Sequence, residues 1–187
     1  MKLYDKLFEH FVDSTAVASA GNPILAAIEV FAAGMTNETS MHARMAGTTL
    51  VYMGLGSVYS RGRDLSKRVF NVTKESKESV KKLHDALYSA FYIGITQPPF
   101  YYALGARDWK QIAVGAAGAA AVQIFLGPIA GYTIDTYRDF TGIKESERLP
   151  YFVKDMSPAA KKYTAVMLTA GSVAATAGIY ALKEYSK

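Results

Sequence analysis

The sequence contains no cysteine, which excludes a disulfide framework and a thiolate metal site. Its three histidines, His10, His42 and His84, are far apart in sequence and do not make a metal set with Asp or Glu at helical spacing. No phosphate-cradling glycine loop, Ser-His-Asp arrangement or aspartyl pair can be placed, so the common enzyme motifs are missing and no cofactor is expected. Charge is missing in a more informative way. Residues 14–28, 45–60, 86–106, 111–134 and 163–182 hold no Asp, Glu, Lys or Arg. A soluble helix would show a charged face through each of these tracts. A membrane span needs about 20 mostly apolar residues to cross roughly 30 Å of hydrocarbon. Five segments approach or exceed that length, and they are rich in Gly and Ala, as close helix packing in lipid favours. The fold class read from this pattern is an all-α integral membrane protein.

What charge there is lies between the tracts. Of 21 Lys and Arg residues, sixteen fall in the N-terminus, in 61–85 and in 135–162. That asymmetry puts the N-terminus in the cytoplasm and, with five spans, the C-terminus outside a cell (inner) membrane. It also accounts for the net charge of +5 without a nucleic-acid partner. The first dozen residues, MKLYDKLFEHFV, are amphipathic and do not form the apolar core of a cleavable signal. Leu7, Phe8 and Phe11 can lie along the membrane surface with Lys2 and Lys6 facing water. The basic connection 60–86 reads equally as a lipid-headgroup-binding segment or as a solvated loop.

The expected spans are 13–35, 44–59, 86–109, 111–134 and 163–182. Spans one-two and three-four read as two copies of one hairpin. Each first helix is broken by an amide-proline step, Asn22-Pro23 and Gln97-Pro98, and each reaches an outer turn marked by Gly34 or Gly105. Each second helix carries a Gly, then a Tyr five residues later (Gly54 and Tyr59; Gly127 and Tyr132), then an Arg-Asp pair. Two-span units keep one orientation, so the expected architecture is a four-helix core of two parallel-related hairpins plus a fifth C-terminal transmembrane helix. Parallel repeats that meet at a midplane site are a transporter arrangement. The domains follow: an amphipathic segment 1–12, the core 13–142, a cytoplasmic loop 143–162 and the additional helix 163–187.

In lipid, ionisable residues and helix breaks carry the information, because each is costly and faces protein or water. Glu29 is expected to pair with Arg44 at the start of the antiparallel neighbour. It reads equally as a pin for the hairpin or as a carboxylate that binds substrate or protons. Asp13 and Asp135 sit at inner membrane edges. For Asp135, one turn before Arg138, an interfacial salt bridge is the expectation, and proton coupling is the alternative for both. Pro23 frees the carbonyl of Ser19, and the prolines of span three free carbonyls one turn upstream. Such carbonyls suit an ammonium group, and the Asn22 and Gln97 amides suit a carboxylate or an amine. Gln123 is either a helix–helix hydrogen bond or a lining residue. Gly115, Gly118, Gly127 and Gly131 read as sites of close helix approach. Tyr88, Tyr92, Tyr101, Tyr102 and Trp109 read as interfacial belts and packing.

The segments "IEVFAAGM" (28–35) followed by Arg44, "YSRGRDL" (59–65), "TQPPFYYALGARDWKQI" (96–112) and "GYTIDTYRDF" (131–140) resemble, in order and spacing, the bacterial L-alanine exporters, the AlaE-like proteins. The resemblance covers residues 11–142. It implies a four-span inner-membrane exporter of L-alanine or a related small neutral amino acid, driven by the proton gradient. It points to Asp13, Glu29, Arg44, Arg63, Asp64, Gln97, Pro98, Asp108, Trp109 and Asp135. Two features depart from the family pattern: residues 143–187 add a fifth span, and span two carries Gly47, Gly54 and Gly56 where prolines are expected. The function expected is export through a site between spans one and three, formed by Asn22, Pro23, Glu29, Arg44, Gln97, Pro98 and Gln123, with Asp13, Glu29 and Asp135 as proton-coupling candidates. So few spans make a thin wall, which suits a homodimer or higher homo-oligomer in contact with membrane lipids. The rival reading is a non-transporting membrane scaffold or assembly protein that uses its basic cytoplasmic loops.

Overall fold

The computed structural model describes residues 3–32, 36–103 and 109–185. All regular structure among them is helical. α1 (Leu3–Ala27) runs without a boundary at residue 12 and passes into a π-helical turn, Ile28–Ala32. α2 (Asn37–Leu50) is joined through a second π-helical turn, Val51–Leu55, to α3 (Gly56–Val69). α4 (Glu78–Ala103) and α5 (Trp109–Phe140) follow, then the short α6 (Tyr151–Lys154) and α7 (Pro158–Tyr185).

Among the described residues, three helices are long and apolar enough to cross a membrane: Leu3–Phe31, Ala116–Phe140 and Pro158–Tyr185. These correspond to expected spans one, four and five. The second expected span is interrupted at its centre. Gly54 adopts φ 136° and ψ −21°, a conformation that L side chains rarely take, and the turn around it widens to π geometry. The bend that prolines would have made is therefore made by a glycine. The third expected span is diluted by Gln97, Pro98, Pro99 and several tyrosines within α4. Gly34, Gly105 and Asp108 lie outside the described residues.

The chain divides into two compact units. One comprises Met1–Ser60 with Thr133–Lys187, and the other Arg61–Tyr132. In the first, α1 packs on α7 and on the Val51–Leu55 turn. The buried apolar residues of α1 and the π-helical turn that follows it are small or β-branched, Val12, Ala16, Ala26 and Val30, which lets backbones approach closely. Gly56 is one point of approach: a Cβ there would lie 2.7 Å from Ser14 Oγ. The segment after α5 turns at Gly142 (φ 78°) and is held by Phe140, Leu149, Ala165 and Val153. Asp139 also anchors it, accepting from the Ser146 N–H at 2.8 Å and from Lys161 Nζ at 2.7 Å.

In the second unit, α4 lies against glycines of α5. A Cβ on Gly127 would come within 2.4 Å of the Asp85 carbonyl, and one on Gly131 within 2.2 Å of Asp85 Oδ2. Gly62 in α3 gives the same access to the Tyr88 hydroxyl. The close approach expected of Gly127 and Gly131 is thus observed, and it accommodates a carboxylate. α3 ends at Asn71, which takes φ 51° while the Val72 N–H bonds the Lys67 carbonyl at 2.8 Å, a left-handed helix cap. Large apolar side chains such as Phe91, Phe125, Val166 and Val173 are exposed, as a lipid-facing surface requires.

Candidate functional site

Pro23 lies within α1 and offers no N–H to the carbonyl four residues back, that of Ser19. That carbonyl is not left bare, because Ser172 Oγ of α7 donates to it at 2.8 Å. Beside the break, Asn22 Nδ2 donates to Thr48 Oγ1 at 2.9 Å and ties α1 to α2. One side of the Asn22 amide is therefore committed to holding the helix pair.

Two turns further along, Glu29 sits in the π-helical turn and meets Arg44 as expected. Arg44 Nη2 donates to Oε1 at 2.6 Å and Nε to Oε2 at 3.1 Å, a two-pronged pair. Ser40 Oγ also donates to Glu29 Oε2, at 2.6 Å. With its single proton used there, Ser40 accepts from the Tyr180 hydroxyl of α7 at 3.1 Å.

The kink at Gly54 has its own partners. The loosened turn presents the carbonyls of Val51 and Tyr52 to α1, where Ser14 Oγ donates to the first at 3.1 Å. His10 Nε2 lies 2.7 Å from the Tyr52 carbonyl. A carbonyl only accepts, so His10 Nε2 is the donor there, and Nδ1 lies 2.6 Å from Ser57 Oγ.

Asp13 is fully buried. Arg138 grips it through Nε and Nη2, both at 2.7 Å, and Ser60 Oγ donates to the same carboxylate. Glu9 is a further, longer partner of Arg138 at 3.5 Å. This corrects one expectation: Arg138 turns to Asp13, not to Asp135 one turn before it. The salt bridge expected of Asp135 forms instead with Arg148 of the following loop, at 3.0 Å. Asp135 projects from its helix towards that loop, and Arg138, about 60° away from a full turn's alignment, follows the buried face.

The second unit holds a matching arrangement that the residue patterns did not single out. Arg63 and Asp85 are both fully buried, bonded at 2.7 Å (Nε to Oδ1) and 2.9 Å (Nη2 to Oδ2). Lys67 Nζ is 4.0 Å from the same carboxylate. His84 completes the cluster, its Nε2 2.9 Å from Ser66 Oγ and its Nδ1 3.4 Å from Asp85 Oδ1. Burial pushes the His84 imidazole below its usual pKa, and the hydrogen bond to Asp85 opposes this. Asp85 was legible in one respect: like Asp13, it stands at the entrance of a long neutral tract. Leaving either buried pair with one partner would strand a charge, so the members of each are interdependent.

Gln97 and Gln123 are half-buried, as are Pro98 and Asp64. Trp109 is exposed and stacks on Tyr102, and Tyr88 packs between His84 and Tyr92. Among the described residues no group of three or more His, Cys, Asp or Glu could hold a metal ion.

Long apolar helices, one helix pair kinked at a glycine of positive φ, and buried carboxylates paired to arginine at the helix entrances define a helical membrane protein. The profile of the AlaE family, described as L-alanine exporter, matches residues 6–144, and the chain belongs to that family. No curated protein and no solved structure matches it. The family's activity is amino-acid transport across a membrane and not catalysis, and membership favours this over the scaffold reading.

Proposed function

We propose that this chain exports L-alanine or a related small neutral amino acid, using the proton gradient, through a site to which the Asn22-Pro23 break, Gln97, Pro98 and Gln123 contribute. The observation that carries the reading is Pro23 inside the continuous helix α1, within the family-matched region: it removes the donor of the Ser19 carbonyl in the middle of an apolar helix. A carbonyl of this kind suits the substrate's ammonium group. Glu29, held by Arg44 and Ser40, is the first candidate for proton coupling. Asp13 and Asp135 are further candidates, each engaged by an arginine that must let go before the carboxylate can take a proton.

The proposed architecture is the four-helix core 13–142 of two parallel-related hairpins, followed by the loop 143–162 and a fifth helix from 163, with the amphipathic stretch 1–12 leading in. Support comes from an exchange of partners: the aspartate that opens span one is held by the arginine of the second hairpin, Arg138, and Asp85, which opens span three, by the arginine of the first, Arg63. Two copies related by rotation about the membrane normal would trade partners in this way. Gly56 and Gly131, each seven residues before its arginine, occupy corresponding positions. The N-terminus is placed in the cytoplasm by the basic residues, the C-terminus outside, and a homodimer or higher oligomer completes the wall.

The test is efflux of labelled L-alanine from proteoliposomes under an imposed pH gradient, with Glu29→Gln and Gln97→Ala alongside. Efflux above that of empty liposomes, lost on dissipating the gradient and reduced at least about tenfold in Glu29→Gln, a difference of about 1.4 kcal/mol, is expected. Efflux equal to that of empty liposomes overturns the exporter reading, and unchanged variants overturn only the site.

A further inference from the structure

The family profile ends at residue 144, yet α7 (Pro158–Tyr185) reaches both polar features of the first span. Ser172 Oγ donates to the Ser19 carbonyl at 2.8 Å, the very group that Pro23 deprives of its helical donor. Two turns on, the Tyr180 hydroxyl donates to Ser40, which in turn donates to Glu29. Asn37 Nδ2 holds the Tyr180 carbonyl at 2.9 Å and fixes that end of α7. At the other end Tyr137 and Thr169 share a hydroxyl–hydroxyl bond of 2.9 Å. Ser172 is thus delivered to the break by a helix anchored on both sides of it.

We propose that Ser172 is a specificity-determining residue of the export site: its hydroxyl holds the Ser19 carbonyl and gives way to the ammonium group of the arriving amino acid. This rests on the reading above, in which that carbonyl receives the substrate amine. A carbonyl bonds an ammonium group more strongly than a neutral hydroxyl, because the donor carries full charge. A charged amine can therefore displace Ser172, whereas an uncharged amide nitrogen of similar size gains too little to do so. α7 in this way makes the site selective for a free amine and sets the substrate concentration at which it fills.

The test is L-alanine transport kinetics on the full chain in proteoliposomes, comparing the parent with Ser172→Ala and Ser172→Thr. Removing the competing hydroxyl is expected to lower KM about three- to tenfold, the ordinary worth of one hydrogen bond, with kcat changed by less than about twofold. Ser172→Thr, which keeps the hydroxyl, is expected to match the parent. N-acetyl-L-alanine is expected to compete measurably against Ser172→Ala and not against the parent. An unchanged or raised KM in Ser172→Ala, or an equal fall in Ser172→Thr, overturns the proposal while leaving the exporter reading intact. Should Ser172→Ala not purify, Ser172→Cys, a much weaker donor, is expected to lower KM in the same direction, and its failure to do so counts equally against the proposal. Absence of L-alanine efflux by the parent overturns the exporter reading and this inference together.

Discussion

Asp13 in one unit and Asp85 in the other occupy equivalent stations, each the last acid before a long neutral tract and each gripped by the Nε and Nη2 of a buried arginine. Their surroundings differ. Around Asp13 the added groups are Glu9 and the Ser60 hydroxyl, so the cluster holds more carboxylate than guanidinium. Around Asp85 they are Lys67 and His84, and cations predominate. The shared frame shows what the fold requires, a neutralised carboxylate at the mouth of each proline-containing helix tract. The unshared neighbours show where the two halves are free to differ, one surplus negative and the other surplus positive.

The comparison breaks most sharply if the two pairs are not of similar worth. Asp13→Asn and Asp85→Asn each strand a buried arginine, and each is expected to destabilise the protein by about 3–5 kcal/mol in thermal melts of detergent-solubilised protein. A loss confined to one of them would mean that the resemblance is geometric only.

A smaller effect tests the glycines beneath each pair. A methyl at Gly131 meets Asp85 Oδ2 and Arg63 Nη2, and one at Gly56 meets the backbone and hydroxyl of Ser14. Gly131→Ala and Gly56→Ala are each expected to cost about 1–3 kcal/mol by overpacking. Gly118→Ala, where a Cβ meets nothing within 4 Å, is expected to be neutral or slightly stabilising in the same melts. Gly54→Ala separates space from conformation: the site is open but φ is 136°, so a cost of about 1–2 kcal/mol reports backbone strain alone.

The smallest expected effect lies in the cluster that holds a histidine. Because burial lowers the His84 pKa, the unfolded chain binds its proton more readily than the folded one. The neutral ring therefore contributes stability that is present above the unfolded histidine value of about 6.5 and is lost as pH falls below it. Melting temperatures between pH 7.5 and 5 are expected to fall for the parent and to fall less for His84→Asn. Identical slopes would remove His84 from the account of the difference between the two clusters.

Charge-free tracts and proline positions could be read directly because lipid imposes them residue by residue, and the Glu29–Arg44 pair was legible because the two lie on adjacent antiparallel helices. Arg138 with Asp13 was not, since the partners stand 125 positions apart and nearer candidates such as Asp135 compete on paper. The bend of span two was missed for a different reason: glycine signals permission for an unusual φ, and only packing by Ser14 and His10 shows that Gly54 uses it. Ser172 and Tyr180 looked like ordinary polar punctuation in a Gly- and Ala-rich helix.

The sequence by itself determined that this chain is helical and membrane-embedded, because uncharged tracts of that length have no other stable setting, and its ordered motifs placed it in the exporter family. The tertiary structure decided which arginine neutralises which aspartate and that the carbonyl opened by Pro23 is already held by α7. Those outcomes depend on which faces meet across long loops, and a buried charge or bare carbonyl accepts whichever partner the packing brings within 3 Å.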